Sequence, residues 1–261
     1  RTSLLTLSVL LVANITAVAQ EDWPQFKFDA RHSGNVPERD LGDAAMGLIG
    51  AVPLTDGIYT SPVVADGRVY VVDGSGVAFC LDAETLEIVW KVDTQGGSGN
   101  CNNVSSPAIA GPNLHFGTMA GRFLVLDRAN GEVIRKIDCG DPILSSPVVV
   151  GDRTYFATLG SQVYAIERDG TVVWMWDFVK EEIGFDGNRW SGEEWHEFKK
   201  GRVNWKDHFC CSRNLSAFGK TVVIPCGGRT VFLEDSGDSP AVRAIANIPD
   251  FRGNEYPAAF R

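Results

Sequence analysis

The sequence predicts an all-β fold, a β-propeller built from four-stranded antiparallel blades. Three segments begin with Ser-Pro, at Ser61, Ser106 and Ser146, and their prolines lie 45 and 40 residues apart. Repeats of roughly 40–50 residues with four strand signals each are typical of propeller blades. The 28 Gly and 7 Trp among 261 residues also favour many tight turns in an aromatic-rich β fold.

The first 19 residues are predicted to be a signal peptide. An apolar run from Leu4 to Val18 is short for a bilayer span and ends in Ala17-Val18-Ala19, an A-x-A cleavage pattern. A short membrane anchor is the alternative. We therefore expect an exported protein, periplasmic or extracellular, with no membrane span in the mature chain and a partial propeller over 20–261.

Each repeat unit reads as four short strands separated by Gly-containing turns. Strand one follows Ser-Pro, strand two follows a turn such as Asp66-Gly67, and strand four is a run such as Ile88-Val89-Trp90. Residues 47–52 read as a further strand four without its earlier strands. A fourth unit follows an insertion at 178–208 and covers 218–235.

The insertion is polar but holds three Trp residues, and a short helix is predicted from Gly192 to Lys200. Insertions between blades lie on one rim of a propeller and often carry what is specific to the protein. We interpret this one as a loop that covers a ligand or binds a partner. The alternative is a structural flap whose Trp side chains pack on the rim.

The net charge of −9 and the pI near 5.0 argue against nucleic acid or an anionic membrane as the main partner. We therefore expect the partner to be a protein or a small molecule. The Ser-Ser-Pro triplets are interpreted as residues of turns and strand starts. They are not interpreted as catalytic nucleophiles, because no His and Asp pattern accompanies them.

Several motifs resemble the bacterial quinoprotein-type, or PQQ-like, propeller family. These are Trp23-Pro24-Gln25-Phe26 with Asp29 to Gly34, and the acidic-turn-Trp patterns that end at Trp90 and Trp174. The resemblance implies blades docked to their neighbours through Trp90 and Trp174, in a ring of seven or eight blades of which this chain covers about four to five. The second unit has Arg135 in the Trp place. The family contains pyrroloquinoline quinone (PQQ) alcohol dehydrogenases, outer-membrane assembly scaffolds and many other exported proteins.

The pair Cys210-Cys211, followed by Arg213 and Asn214, is similar to the cofactor wall of the PQQ dehydrogenases. The resemblance implies a disulfide between adjacent cysteines against the quinone, with Arg and Asn at its polar edge and calcium beside it. Alternatively, one of the two cysteines bridges to another Cys. A metal site formed by His196, His208 and the Cys pair is a weaker alternative, because the spacing matches no structural zinc pattern. Cys101 and Cys139 are also candidates for a bridge between blades, against two separate thiols.

The leading functional hypothesis is an exported, non-catalytic propeller that binds a protein or small ligand on its loop face. No complete catalytic constellation accompanies the repeat. The alternative is a PQQ-dependent alcohol or sugar dehydrogenase, for which Cys210, Cys211, Arg213 and Asn214 would bind the cofactor.

Overall fold

A computed structural model of the chain describes residues 22–36, 47–94 and 101–248, so the predicted signal peptide lies outside the described residues. Within these ranges, four antiparallel sheets of four strands each confirm the predicted blades. Blade 1 contains β1 (Val63–Ala65), β2 (Arg68–Val72), β3 (Val77–Asp82) and β4 (Ile88–Asp93). Blade 2 contains β5 (Ala108–Ala110), β6 (Asn113–Gly117), β7 (Arg122–Asp127) and β8 (Val133–Asp138). Blade 3 contains β9 (Val148–Val150), β10 (Arg153–Ala157), β11 (Gln162–Glu167) and β12 (Val172–Asp177). Blade 4 contains β13 (Ser216–Phe218), β14 (Thr221–Cys226), β15 (Arg229–Asp235) and β16 (Pro240–Asn247).

Tight two-residue turns join the first and second strands of the blades. In blade 1, Asp66 and Gly67 both have positive φ, 49° and 71°. A type I′ turn needs positive φ at both central residues, and its twist matches that of the flanking strands. The register Ala65↔Arg68, Val64↔Val69 and Val63↔Tyr70 follows from this turn.

The stretch 47–52, which the sequence predicts as an isolated fourth strand, forms no strand in the structure. Leu48 and Ile49 are 90% and 85% exposed. A strand is stable when a neighbouring strand pairs with its backbone groups, and no described strand pairs with this stretch. Val52 and Leu54 instead pack on the buried side chains of Val71 and Phe79 of blade 1.

The insertion folds into three helices between β12 and β13, and we call residues 178–208 the flap. They are α1 (Phe178–Glu181), α2 (Gly192–Lys199) and α3 (Trp205–His208). The predicted helix is therefore present and ends one residue earlier than expected. The Ser191 side chain accepts from the backbone N–H of Glu194 and caps α2. Trp195 is fully buried and stacks on Phe185 with ring centroids 3.9 Å apart, so the flap has its own packed core.

Neighbouring blades contact each other through side chains at equivalent positions of their outer strands. The Trp90 indole N–H donates to the Arg128 carbonyl of blade 2, and the ring covers Gly131. In blade 2 the Arg135 Nε–H donates to the Asp169 carbonyl of blade 3. Trp174 of blade 3 donates to Asp235 of blade 4 at 3.1 Å. Arg135 thus makes the same type of contact as the two Trp side chains, and the energetic role of all three remains a prediction.

All six cysteines are free thiols in the structure, so the predicted bridge between Cys101 and Cys139 is not formed. Cys101 is exposed on the connection between blades 1 and 2, whereas Cys139 is buried against Ile143 and Phe123. The Cys139 Sγ contacts the Ile137 carbonyl 3.9 Å away. The similar offsets of the two residues from their Ser-Pro motifs do not bring one thiol to the other, and the alternative of two separate thiols agrees with the structure.

Candidate binding site at the axial cavity

Two kinds of connection meet on one face of the blades, which we call the loop face. The segments that lead from the fourth strand of one blade to the first strand of the next lie there, as do the turns between second and third strands. The flap belongs to this face because it joins β12 to β13. Trp190 of the flap donates to Asp141 at 2.7 Å, and Arg189 donates to the Gly160 carbonyl, both on this face.

A chain of hydrogen bonds links the four blades where their inner strands begin. The backbone N–H of Ser61 donates to Ser106 Oγ at 2.9 Å, and the backbone N–H of Ser106 donates to Ser146 Oγ at 3.0 Å. The backbone N–H of Ser146 donates in turn to Asn214 Oδ1 at 2.7 Å. Asn214 therefore takes the place of the serine in blade 4. The alignment of Arg213-Asn214-Leu215 with Ser-Ser-Pro, two residues before each inner strand, would have revealed this role from sequence.

A cavity of about 450 Å³ opens at this point, and we call it the axial cavity because residues that lead into the inner strands of all four blades line it. Its walls combine basic, hydroxyl, amide, aromatic and aliphatic side chains. They are Phe26, Lys27, Tyr59, Ser61, Val104, Ser106, Leu144, Ser212, Arg213 and Asn214.

Residues 22–34, which we call the axial strap, cross the inner strands of all four blades. Trp23 forms a two-way backbone bridge with Val64 of blade 1, and the Pro24 carbonyl accepts from Ile109 of blade 2. The Gln25 amide pairs with both backbone groups of Val149 of blade 3, at 3.0 and 3.3 Å. The Ala30 carbonyl accepts from Ala217 of blade 4.

Each backbone partner of the strap is the second residue of its inner strand, so the strap contacts each strand three residues after the position that Ser61 occupies in blade 1. Phe26 and Lys27, at the tip of the strap, line the axial cavity. The strap therefore forms part of the cavity wall. Sequence reasoning treated these residues only as a family signature and missed their place in the site.

The structure places two of the four predicted cofactor residues, Arg213 and Asn214, in the axial cavity. Cys210 and Cys211 do not line it: they are 9% and 0% exposed and pack in the core with Cys226. Both are free thiols, so the implied disulfide wall is not formed. Burial raises the pKa of each thiol to about 12, which disfavours the reactive thiolate.

The metal alternative is not supported by the described part of the chain, where no group of three or more His, Cys, Asp or Glu side chains could hold an ion. His196 is exposed on α2, whereas His208 packs edge-on against the buried Trp195 ring, with centroids 5.2 Å apart. Burial, aided by the charges of Arg229 and Lys199, lowers the pKa of His208.

Among the described residues, no helix is both long and apolar enough to cross a bilayer.

Comparison with known proteins confirms the family. A family model described as outer membrane protein assembly factor BamB matches residues 51–137 and 105–238. The chain is 25% identical over 121 residues to outer membrane protein assembly factor BamB of Legionella pneumophila, covering 43% of this chain and 30% of that protein. It is 26% identical over 113 residues to quinohemoprotein alcohol dehydrogenase ADH-IIG of Pseudomonas putida, covering 39% of this chain and 16% of that protein.

The fold is shared with a solved structure of the ADHIIG enzyme from Pseudomonas putida HK5, at a TM-score of 0.66 and 16% identity. That match covers 87% of this chain and 40% of the enzyme, and in each of these three comparisons the matched part is less than half of the relative's length. Matched repeats over most of the blades, together with the four-stranded sheets, place the chain in the PQQ-like β-propeller family whose model is described as outer membrane protein assembly factor BamB.

Proposed function

We propose that this chain belongs to an exported propeller that acts as a binding module and holds a protein partner or a small ligand on its loop face. The observation that carries the proposal is that the axial cavity and the flap occupy the same face. Small-molecule sites are usually concave and largely pre-formed, and binding residues are often carried by loops on a rigid scaffold, so both features favour this face. The proposal includes a periplasmic or extracellular location, which is supported by the A-x-A pattern before Gln20.

The flap supplies a structured surface for such a partner. Trp195 is buried in its core, and its anchor to the blades includes the partly buried ion pair between Arg189 and Asp177. On the outer side, Phe198 is 42% and Trp205 37% exposed. Exposed aromatic side chains on a rigid base are frequent anchors of protein interfaces.

The second candidate is a PQQ-dependent alcohol or sugar dehydrogenase that uses calcium. It is favoured by the similarity to quinohemoprotein alcohol dehydrogenases and by Arg213 in the axial cavity. Bound PQQ would supply a hydride acceptor. The described residues do not fit this group: Cys210 and Cys211 are packed away from the cavity, and no carboxylate that could ligate calcium is among the cavity-lining side chains. The binding module is therefore the function that the site supports better.

Site-specific photo-crosslinking tests the proposal. A photo-reactive residue replaces Phe198 on the flap, and a matched control replaces Asn130, which is exposed in the turn between β7 and β8 on the opposite face. We expect a discrete crosslinked partner from position 198 in cells and none from position 130. Equal crosslinking from both positions, or none from position 198 together with no ligand in the axial cavity, would contradict the proposal. Turnover of an alcohol by protein loaded with PQQ and Ca²⁺ would favour the second candidate.

A further inference from the structure

The last part of the flap carries a run of cations on a chain that is acidic overall. Residues 198–206 contain four Lys or Arg and no Asp or Glu, whereas the whole chain has a net charge of −9. All four cations are exposed, namely Lys199, Lys200, Arg202 and Lys206. We infer that residues 198–206, which we call the basic run, dock an acidic segment of a protein partner. The inference rests on the proposed function, because it names the chemistry of the partner that the flap would hold.

The basic run is attached to the packed core of the flap at three points. The Phe198 ring packs edge-on against Phe185 with centroids 5.2 Å apart, and the Trp205 ring packs edge-on against Trp190 at 5.3 Å. Between these two contacts, Val203 packs against the buried cluster that the flap shares with blades 3 and 4. The backbone of the run therefore follows a defined path, while its charged side chains lie in solvent.

The cations lie close enough together to act on one ligand. Consecutive Cα atoms are about 3.8 Å apart, so the Cα atoms of Lys199 and Arg202 lie within about 11 Å of each other. This is similar to the Debye length of about 8 Å at physiological ionic strength, so an anion at the surface would feel several of these charges. The dipole at the C-terminus of α2 favours Lys199 and Lys200, but Arg202 and Lys206 lie beyond that helix. Helix stability therefore accounts for only part of the run.

The carboxylates next to the basic run leave its cations unpaired. Glu197 and Asp207 flank the run in sequence, and Asp207 Oδ2 accepts from the side-chain amide of Asn204 at 2.6 Å. Glu182 lines a cavity of about 150 Å³ together with Lys199 but forms no ion pair with it. Among the residues that the structure describes, none of the four cations forms an ion pair. Carboxylates of a partner would therefore meet these cations without breaking an ion pair seen in the flap.

The exposed aromatic side chains of the run favour a protein segment over a lipid surface. The Lys199 ammonium lies 5.0 Å from the centre of the Phe198 ring, which places a charge beside an apolar surface. Phe198 and Trp205 can thus anchor apolar side chains of a peptide whose carboxylates reach the cations. A helix that lies on a membrane needs a continuous apolar face, but α2 buries Trp195 and exposes only Phe198 among its large apolar residues. The net charge of −9 also opposes binding to anionic lipid.

Fluorescence anisotropy of a labelled peptide with the full chain tests the inference. The probe is a short peptide of Glu residues with interspersed Leu, and the same peptide with Gln in place of Glu is the ligand control. The protein variant combines Lys200→Gln with Arg202→Gln. Its matched control combines Lys91→Gln with Lys136→Gln, which removes two exposed cations from the outer strands β4 and β8.

We expect the Glu peptide to bind the full chain and the Gln peptide to bind about tenfold or more weakly, because the attraction between opposite charges is lost. The variant in the basic run should weaken binding of the Glu peptide about fivefold or more, whereas the control variant should leave it unchanged. Exposed side chains are replaced in both variants, so both should fold.

Equal affinity for the two peptides, or equal affinity of the two double variants for the Glu peptide, would overturn the inference. No binding of the Glu peptide by the folded chain would also overturn it, and binding of phosphatidylglycerol vesicles instead would assign the basic run to an anionic membrane. The proposed function would still stand after such a failure if position 198 crosslinks a protein partner and position 130 does not.

Discussion

Replacing Trp174 by Phe tests the contact between blades 3 and 4. The indole N–H donates to Asp235 Oδ1 at 3.1 Å, while Tyr155 donates to Oδ2 at 2.7 Å and Arg153 lies 3.2 Å from the same oxygen. Although burial alone would raise the pKa of Asp235, the hydrogen bonds from Tyr155, Gly237 and Trp174 and the charge of Arg153 hold it below its usual value. Asp235 is therefore charged at neutral pH, and Trp174 donates to an ion.

The matched control is Trp90→Phe, because Trp90 donates to a neutral backbone carbonyl of Arg128 at 3.0 Å. A hydrogen bond to a charged group contributes about 1.5–3 kcal/mol, and one between neutral groups about 0.5–1.5 kcal/mol. Both indoles are nearly buried, at 6% and 8% exposure, so the loss of ring volume is similar in the two variants. We expect Trp174→Phe to cost about 1–2 kcal/mol more than Trp90→Phe.

Urea unfolding of both variants at neutral pH measures this difference. The pKa of Asp235 is lowered in the folded state, so its stabilisation is present above its unfolded pKa and is lost as the pH falls through the folded value. The gap between the two variants should therefore narrow below a pH of about 4. Equal unfolding free energies at neutral pH, or a gap that does not change in acid, would refute the reasoning.

Three further predictions concern blade packing, the axial strap and the thiols. Both Trp90→Ala and Trp174→Ala should destabilise by about 3–5 kcal/mol, measured by thermal unfolding, because large buried side chains that contact the next blade are lost. Gln25→Leu should cost about 1–3 kcal/mol in the same assay, because both backbone groups of Val149 lose their amide partner. A thiol reagent should label only Cys101 in the folded chain and all six cysteines after unfolding, because the other five are buried.

Each of these has a control or a contradicting result. Unchanged thermal stability in both alanine variants would remove the docking interpretation of the two Trp side chains. A Gln25→Leu variant as stable as Asn130→Ala, an exposed turn variant, would show that the strap bonds do not stabilise the blades. Four reactive thiols instead of six in the unfolded, unreduced chain would indicate one disulfide and would contradict the presence of six free thiols.

The repeat could be predicted from sequence because each blade is a local unit. The Ser-Pro starts, the Gly turns and the run before Trp90 each act within about 40 residues, which is the length of one blade. The helix in the flap was also predictable, since Ser191 and the acidic first turn mark its start locally.

The axial cavity could not be predicted, because it depends on contacts between distant segments. Gln25 meets Val149 across a separation of 124 residues, and Asn214 meets Ser146 across 68. The Cys210-Cys211 pair led to the cofactor interpretation because it resembles the cofactor wall of the PQQ dehydrogenases, but the core packing that keeps both thiols out of the cavity is a property of the folded chain. Likewise, the stretch 47–52 has the local pattern of a strand but no described partner strand. Whether a partner strand is present cannot be read from the local sequence.

Hydrogen–deuterium exchange of the chain with and without its crosslinked partner or ligand tests the central claim, that the loop face is the binding face. We expect added protection in the flap and in the segment 101–106 that leads into β5. We expect unchanged exchange in the opposite turns at 66–67 and 128–131. Protection confined to those opposite turns, with none in the flap or around the axial cavity, would contradict the claim.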